Sequence, residues 1–193
     1  MVTVTISGLT ITGGAVSCNG LCGVGGLFNE GTPMTITNGT VSANTVTCSG
    51  IGCTAVGGGL HNNGIMMLQK TIVAKQLAGP DRVNTGTLTS SGCNLDSDIT
   101  CQLTPPSDKP NVTSPLLGPL QDNGGLTQTH ALLPGSPAID GGDPAGCTDN
   151  LGAPLTTDPR GFARPQDGHG DGRAICDLGA YDRCNGIFET RSS

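Results

Sequence analysis

The chain has 193 residues and a mass of 19.3 kDa, with nine Lys plus Arg against fifteen Asp plus Glu, a net charge of -6 and a pI near 4.7. An acidic chain without a basic run lacks the electrostatic footprint of nucleic-acid or anionic-membrane binding, and no stretch reaches the ~20 continuous apolar residues of a transmembrane helix. With no Trp, one Tyr and three Phe beside 32 glycines, it also lacks the large rings around which most globular cores are built.

Met1 opens directly into a strand pattern with no charged n-region and apolar h-region before it. The chain therefore reads as a C-terminal fragment of a larger protein, its repeat beginning mid-pattern. Short Thr/Val/Ile strands then recur at a spacing of about thirty residues: TISGLTI from Thr5, MTITNGTV from Met34 and IMMLQKTI from Ile65. Between them stand GGLFNEG (Gly25 to Gly31) and GGLHNNG (Gly58 to Gly64). One turn of such strands cannot bury its apolar side chains, whereas turns piled at roughly 4.8 Å share a continuous core. The repeat predicts an all-β fold, a short right-handed parallel β-helix of about three coils. Ile6/Ile36/Met67 and Ile11/Val41/Ile72 are the expected inward columns, and a one-residue slip in the third coil would exchange Met67 for Met66 or Leu68. Glycine and asparagine tolerate positive φ, so the GG, NG and NN pairs are the expected corners.

Cysteines follow the same period. Cys18 and Cys22 fall between the first two strand copies, and Cys48 and Cys53 at the equivalent place one coil later. Either each pair closes its own loop or the pairs bridge from coil to coil, where in-register stacking sets matching Cα atoms within disulfide range. Cys93 with Cys101 would staple one loop and Cys147 with Cys176 would tie the C-terminal region, leaving Cys184 over. The C-x3-C and C-x4-C spacings have no nearby His completing a zinc set, so disulfides and an oxidising compartment are preferred to zinc.

From about Gly79 prolines and Asp-Gly turns replace the strand pattern. The segments GCNLDSDITC (Gly92 to Cys101), SPLLGPLQDNGGLTQTHALLPGSPAIDGGD (Ser114 to Asp143), DPRGFARPQDGHGDG (Asp158 to Gly172) and CDLGAYD (Cys176 to Asp182) resemble the C-terminal part of bacterial extracellular proteins described as choice-of-anchor Q domain proteins, in the right-handed parallel β-helix repeat group. With the GGL-x-N repeats, the resemblance covers the chain up to Asp182. It implies a β-helix with its last coils under a loop-rich cap, on a protein at or released from a bacterial surface; it does not imply a reaction. The expected division is coils at 1–83, terminal coil and turn-rich cap at 84–182, and a tail at 183–193 departing from the family ending.

Candidate sites are few. DGHGDG sets Asp167, His169 and Asp171 in alternation before Gly172, and Asp177 lies near the place where an EF-hand carries its bidentate Glu. These four form a candidate calcium loop; the alternative is a metal-free Asp-Gly turn. His130, Ser136 and Asp140 are the hydrolytic candidates, but Ser136 lacks the G-x-S-x-G elbow and reads as a turn residue. Asp140, Asp143, Asp158 and Arg160 read as turn and salt-bridge residues of the cap. A polysaccharide lyase or glycoside hydrolase on this scaffold is the enzymatic alternative; its cations would come from Lys70, Lys75 and Arg82. The pairs Thr3-Thr5, Thr10-Thr12 and Thr35-Thr37 offer a third reading, a flat face recognising a repetitive polymer. The expectation is a non-catalytic structural or adhesive surface module whose partner is a surface polysaccharide or other extracellular polymer, with calcium as the one candidate cofactor.

Overall fold

A computed structural model of the chain describes residues 2–21, 23–54 and 57–185, and among these every regular element is a strand. The first pass of the chain makes β1 (Val4–Ser7), β2 (Thr10–Ile11), β3 (Ala15–Leu21) and β4 (Leu27–Asn29). The second makes β5 (Met34–Thr37), β6 (Thr40–Ser42), β7 (Thr45–Thr54) and β8 (Leu60–Asn62). A third makes β9 (Ile65–Gln69), β10 (Ile72–Ala74) and β11 (Arg82–Asn84), and a fourth β12 (Thr87–Ser90) and β13 (Leu95–Asp96). Each strand pairs in parallel with its counterpart one pass away, giving sheets β1-β5-β9-β12, β2-β6-β10-β13, β4-β8-β11 and β3-β7. Only β14 (Leu117–Gln121) and β15 (Thr129–Leu132) are antiparallel.

The inward columns are Ile6/Ile36/Leu68 and Ile11/Val41/Val73, one residue away from the expected Met67 and Ile72 in the third pass. The cause is local. Asn29 and Asn62 are register partners, as are Met34 and Met66, so the turn between them is one residue shorter in the third pass, whereas the expected columns require it to be two shorter. Ile36, Val41, Leu60, Met66, Leu68 and Val73 make the inner cluster, while Met67 is only half-buried. Ile72 is buried for a different reason: it faces outward into a second cluster with Leu95, Leu117, Leu132, Ile139 and Leu178. Strands β6 and β10 are thus covered on both faces.

A buried amide ladder fixes the corner after β4, β8 and β11. Asn29 Nδ2 donates to Asn62 Oδ1 at 2.7 Å, and Asn62 Nδ2 to Asn84 Oδ1 at 2.7 Å. The same Nδ2 atoms reach the carbonyls of Ile65 and Thr87 in the following strands. Each amide satisfies its neighbour and the bending backbone together, which makes burial affordable only in register. The glycine pairs work by close approach: a Cβ on Gly26 would stand 2.3 Å from Gly59 O, and one on Gly59 2.6 Å from Asp81 O. Positive φ is found instead in a column of Gly8, Asn38, Lys70 and Cys93, two residues before each strand of the second sheet. Three of these carry a Cβ, at a cost of roughly 1 kcal/mol each. Pass-to-pass hydrogen bonds hold them there, Asn38 N to Gln69 O and Lys70 N to Gly92 O.

The inner columns turn polar in the last strands. Ser90 follows Leu68, Asp96 follows Val73, and Arg82 follows Leu60. The chain after β13 folds over this end: Asp96 accepts the backbone N–H groups of Cys101 and Asn111, and Asp108 accepts from Asn94 N and Ser90 Oγ. Cys101 and Leu103 join the inner cluster. The C-terminal segment does more than cover the last pass, for it runs along the side of the stack. Thr148 O accepts from Asn38 Nδ2 and Lys70 Nζ, Thr40 Oγ1 accepts from Ala180 N, and Pro159 stands against Gly8.

Asn62→Ala leaves both ladder neighbours short of a partner and is expected to lower unfolding free energy by about 3 kcal/mol in urea titration. Its exposed neighbour tests the reasoning, since Asn63→Ala should cost about 1 kcal/mol or less.

Candidate functional site

The densest polar grouping lies in the C-terminal segment. Asp158 pairs with Arg160 at 2.5 Å, and Arg160 also donates to Asp182 O while its guanidinium stacks 3.6 Å above the Tyr181 ring and 4.6 Å from Phe162. Arg164, with 1% of its side chain exposed, binds both carboxylate oxygens of the fully buried Asp182, at 3.1 and 3.2 Å. Asp182 also accepts the N–H of Asp177, and Asp177 in turn accepts those of Asp140 and Arg183. Asp140 ends the chain of contacts by accepting from Gly168 N and pairing with His169 Nδ1 at 2.5 Å. Burial, reinforced by the Asp182 charge, raises the Asp177 pKa to about 8. Burial raises that of Asp182 as well, against the pull of Arg164.

This network joins SPAID, DPRGFAR and CDLGAYD, three segments far apart in sequence. Asp140, Asp158 and Arg160 take the salt-bridge roles expected of them. Nothing in the sequence marks Arg164, Asp177 and Asp182 as one constellation. The available signal was scarcity: with only nine basic residues in the chain, two arginines four apart in an apolar context require buried acids.

The four residues of the expected calcium loop are not brought together. Asp167 folds its carboxylate back onto the N–H groups of Gly170, Asp171 and Gly172, which lowers its pKa. His169 turns to Asp140, Asp171 accepts from Arg173 N, and Asp177 is buried in the network above. Among the described residues no group of three or more His, Cys, Asp or Glu side chains is placed to share a metal ion. Within DGHGDG the Asp167 carboxylate thus serves as acceptor for the backbone of its own turn.

Of the cysteines, Cys147 and Cys176 are joined, with Cα atoms 5.5 Å apart. Cys18 and Cys48 are register partners and each is oxidised to a disulfide. Cys22 and the side chain of Cys53 lie outside the described residues. The expected Cys93–Cys101 staple is absent: both are buried free thiols, Cys93 in the outer cluster and Cys101 in the inner one. Cys184 is a free, exposed thiol.

The hydrolytic candidates are separated. His130 Nδ1 donates to Gly118 O at 2.8 Å, and burial lowers its pKa. Ser136 Oγ donates to Pro115 O and accepts from Ala138 N, closing a turn, while Asp140 faces His169. Of the three cations proposed for sugar chemistry, Lys70 is buried against Thr148, Arg82 is buried at the end of the Leu60 column, and Lys75 stands in the open. Thr35 and Thr37 are buried, which interrupts the threonine face after the first pass. A cleft of about 330 Å³ separates the first corner of the stack from the C-terminal segment, lined by Leu9, Asn38, Leu155, Thr157, Asp158 and Arg164 among others. Its two charged residues are already engaged in the ion network.

No family model matches the chain, and neither the curated proteins nor the solved structures yield a match.

Arg164→Met leaves Asp182 buried without its cation and is expected to cost about 4 kcal/mol of unfolding free energy. Asp177 gives a pH signature. Its carboxyl titrates at 3.8 unfolded and at about 8 folded, so the neutral form favours folding fully below pH 3.8 and that contribution is lost as pH rises through 8. Calorimetry across this window should show Asp177→Asn gaining melting temperature relative to the unmodified chain as pH increases.

Proposed function

We propose that this chain is a non-catalytic structural or adhesive module of a bacterial surface or extracellular protein, related to the choice-of-anchor Q group, with an extracellular polymer such as a polysaccharide as its partner. In this reading the stacked parallel sheets are the coils of a short right-handed parallel β-helix, and the C-terminal segment clamps them from the side. The observation that carries it is how the ionisable side chains of the resembling motifs are employed. Asp140, Asp158, Arg160, Arg164, Asp177 and Asp182 bind one another and backbone groups between segments. That use is architectural, because a group that must exchange protons or contact a substrate has to be reachable and only lightly committed. Oxidised Cys18, Cys48, Cys147 and Cys176 suit an oxidising compartment.

The test is incubation of the oxidised protein with a panel of soluble polysaccharides, following unsaturated-uronate absorbance, new reducing ends and retention on the immobilised polymers. Retention on at least one polymer without any product is the expected result. Cleavage products that disappear in Asp140→Ala or Lys70→Met variants would replace this reading with a carbohydrate-active enzyme.

A further inference from the structure

At one corner between the second and third passes, two buried polar groups lack the partners that burial demands. Asn38 and Lys70 are neighbours on those passes, since Thr37 pairs with Gln69 and Thr40 with Ile72, and each has a φ of 50°. Both are covered, Asn38 with 0% and Lys70 with 3% of its surface exposed. Asn38 Oδ1 is buried and has no hydrogen-bond partner. Lys70 Nζ donates to Thr148 Oγ1 at 2.7 Å and to Thr148 O at 3.3 Å, and among the described residues no carboxylate pairs with it. A buried ammonium without a counter-ion and a buried carbonyl without a donor are each unfavourable. Thr148 O also accepts from Asn38 Nδ2 at 3.2 Å, so the amine and the carboxamide hang on one oxygen. Burial lowers the Lys70 pKa against the pull of Asp143, which favours the neutral, nucleophilic amine.

We propose that Lys70 and Asn38 condense into an intramolecular isopeptide bond that welds the second pass to the third. Lys70 Nζ adds to Asn38 Cγ. The Nζ–Cγ bond forms, the Cγ–Nδ2 bond breaks, and Nδ2 leaves as ammonia with a proton that Nζ gives up through Thr148 Oγ1. A primary amine and a primary amide thus become a secondary amide and ammonia, with no oxidant, reductant or cofactor consumed. Sheet pairing on both sides of the corner holds the reacting groups together beforehand, which replaces the encounter that makes such a step slow in water. Asn38 lines the cleft beside the C-terminal segment, and the cleft gives ammonia a way out. The product carries no buried charge at this corner.

The measurement is the mass of the folded, purified protein after reduction of its disulfides, together with a tryptic map. The expected result is a mass below that of the sequence by one ammonia. Trypsin should then fail to cut after Lys70, the first basic residue of the chain, and release residues 1–75 as one peptide closed between positions 38 and 70. Lys70→Arg keeps the charge without the reactive amine and should show the full mass. The unmodified chain decides the question by itself, whether or not that variant folds. The full sequence mass with cleavage after Lys70 would overturn the proposal. So would a loss of ammonia that leaves Lys70 open to trypsin, as a cyclised Asn-Gly pair gives, or one that persists in Lys70→Arg.

Discussion

Strands of two to five residues make up most of the parallel sheets, and such short strands hold neither their backbone groups nor their side chains away from water alone. Everything else in the molecule answers that constraint by keeping successive passes in register. The asparagine ladder is the clearest instance. A slip of one residue between passes would leave Asn29 or Asn62 with a buried amide facing nothing, so the ladder penalises misregistration more than it rewards correct pairing. The glycine pairs act in the same sense. They let neighbouring carbonyls approach to a distance that no side chain would permit.

The register also explains the tolerance for unusual backbone. Asn38, Lys70 and Cys93 share one left-handed corner because the pass beneath each dictates its shape. At Lys70 the bend has a second effect, directing the side chain sideways to Thr148 in the segment that clamps the stack. A strained corner and a tertiary contact are thus the same feature.

The repeat was legible because GGLFN and GGLHN preserve both the leucine and the asparagine, and the structure places Leu27 on Leu60 and Asn29 on Asn62 as that alignment requires. The third-pass register was not: aligning the strand copies takes the turn to be two residues shorter than in the second pass, the structure makes it one shorter, and a segment as apolar as IMMLQ leaves no mark of the difference. Ile72 reads as an inner-column residue because nothing in its surroundings announces a second core, whose other wall is supplied by Leu117, Leu132 and Leu178 much later in the chain. The Cys147–Cys176 pair and the Asp158–Arg160 contact could be read from spacing and turn chemistry. The Arg164–Asp182 pair could not, because its members meet only after two turn-rich stretches have docked. Calcium was suggested by the alternation of Asp167, His169 and Asp171; a carboxylate that caps its own turn produces the same sequence pattern as one that ligands a cation.

The lateral clamp carries a consequence for synthesis. Ala180 donates to Thr40 across 140 residues of sequence, and Asn38 reaches Thr148 across 110. The outer cover of β6 and β10 is therefore assembled from distant parts of the chain, Leu117, Leu132 and Ile139 first and the segment around Leu178 and Ala180 last. The pairings that build the stack join neighbouring passes, whereas its second core draws on residues from Ile72 to Leu178. A nascent chain that has not yet made Leu178 therefore leaves part of the surface around Ile72 open, the last place at which the protein becomes watertight.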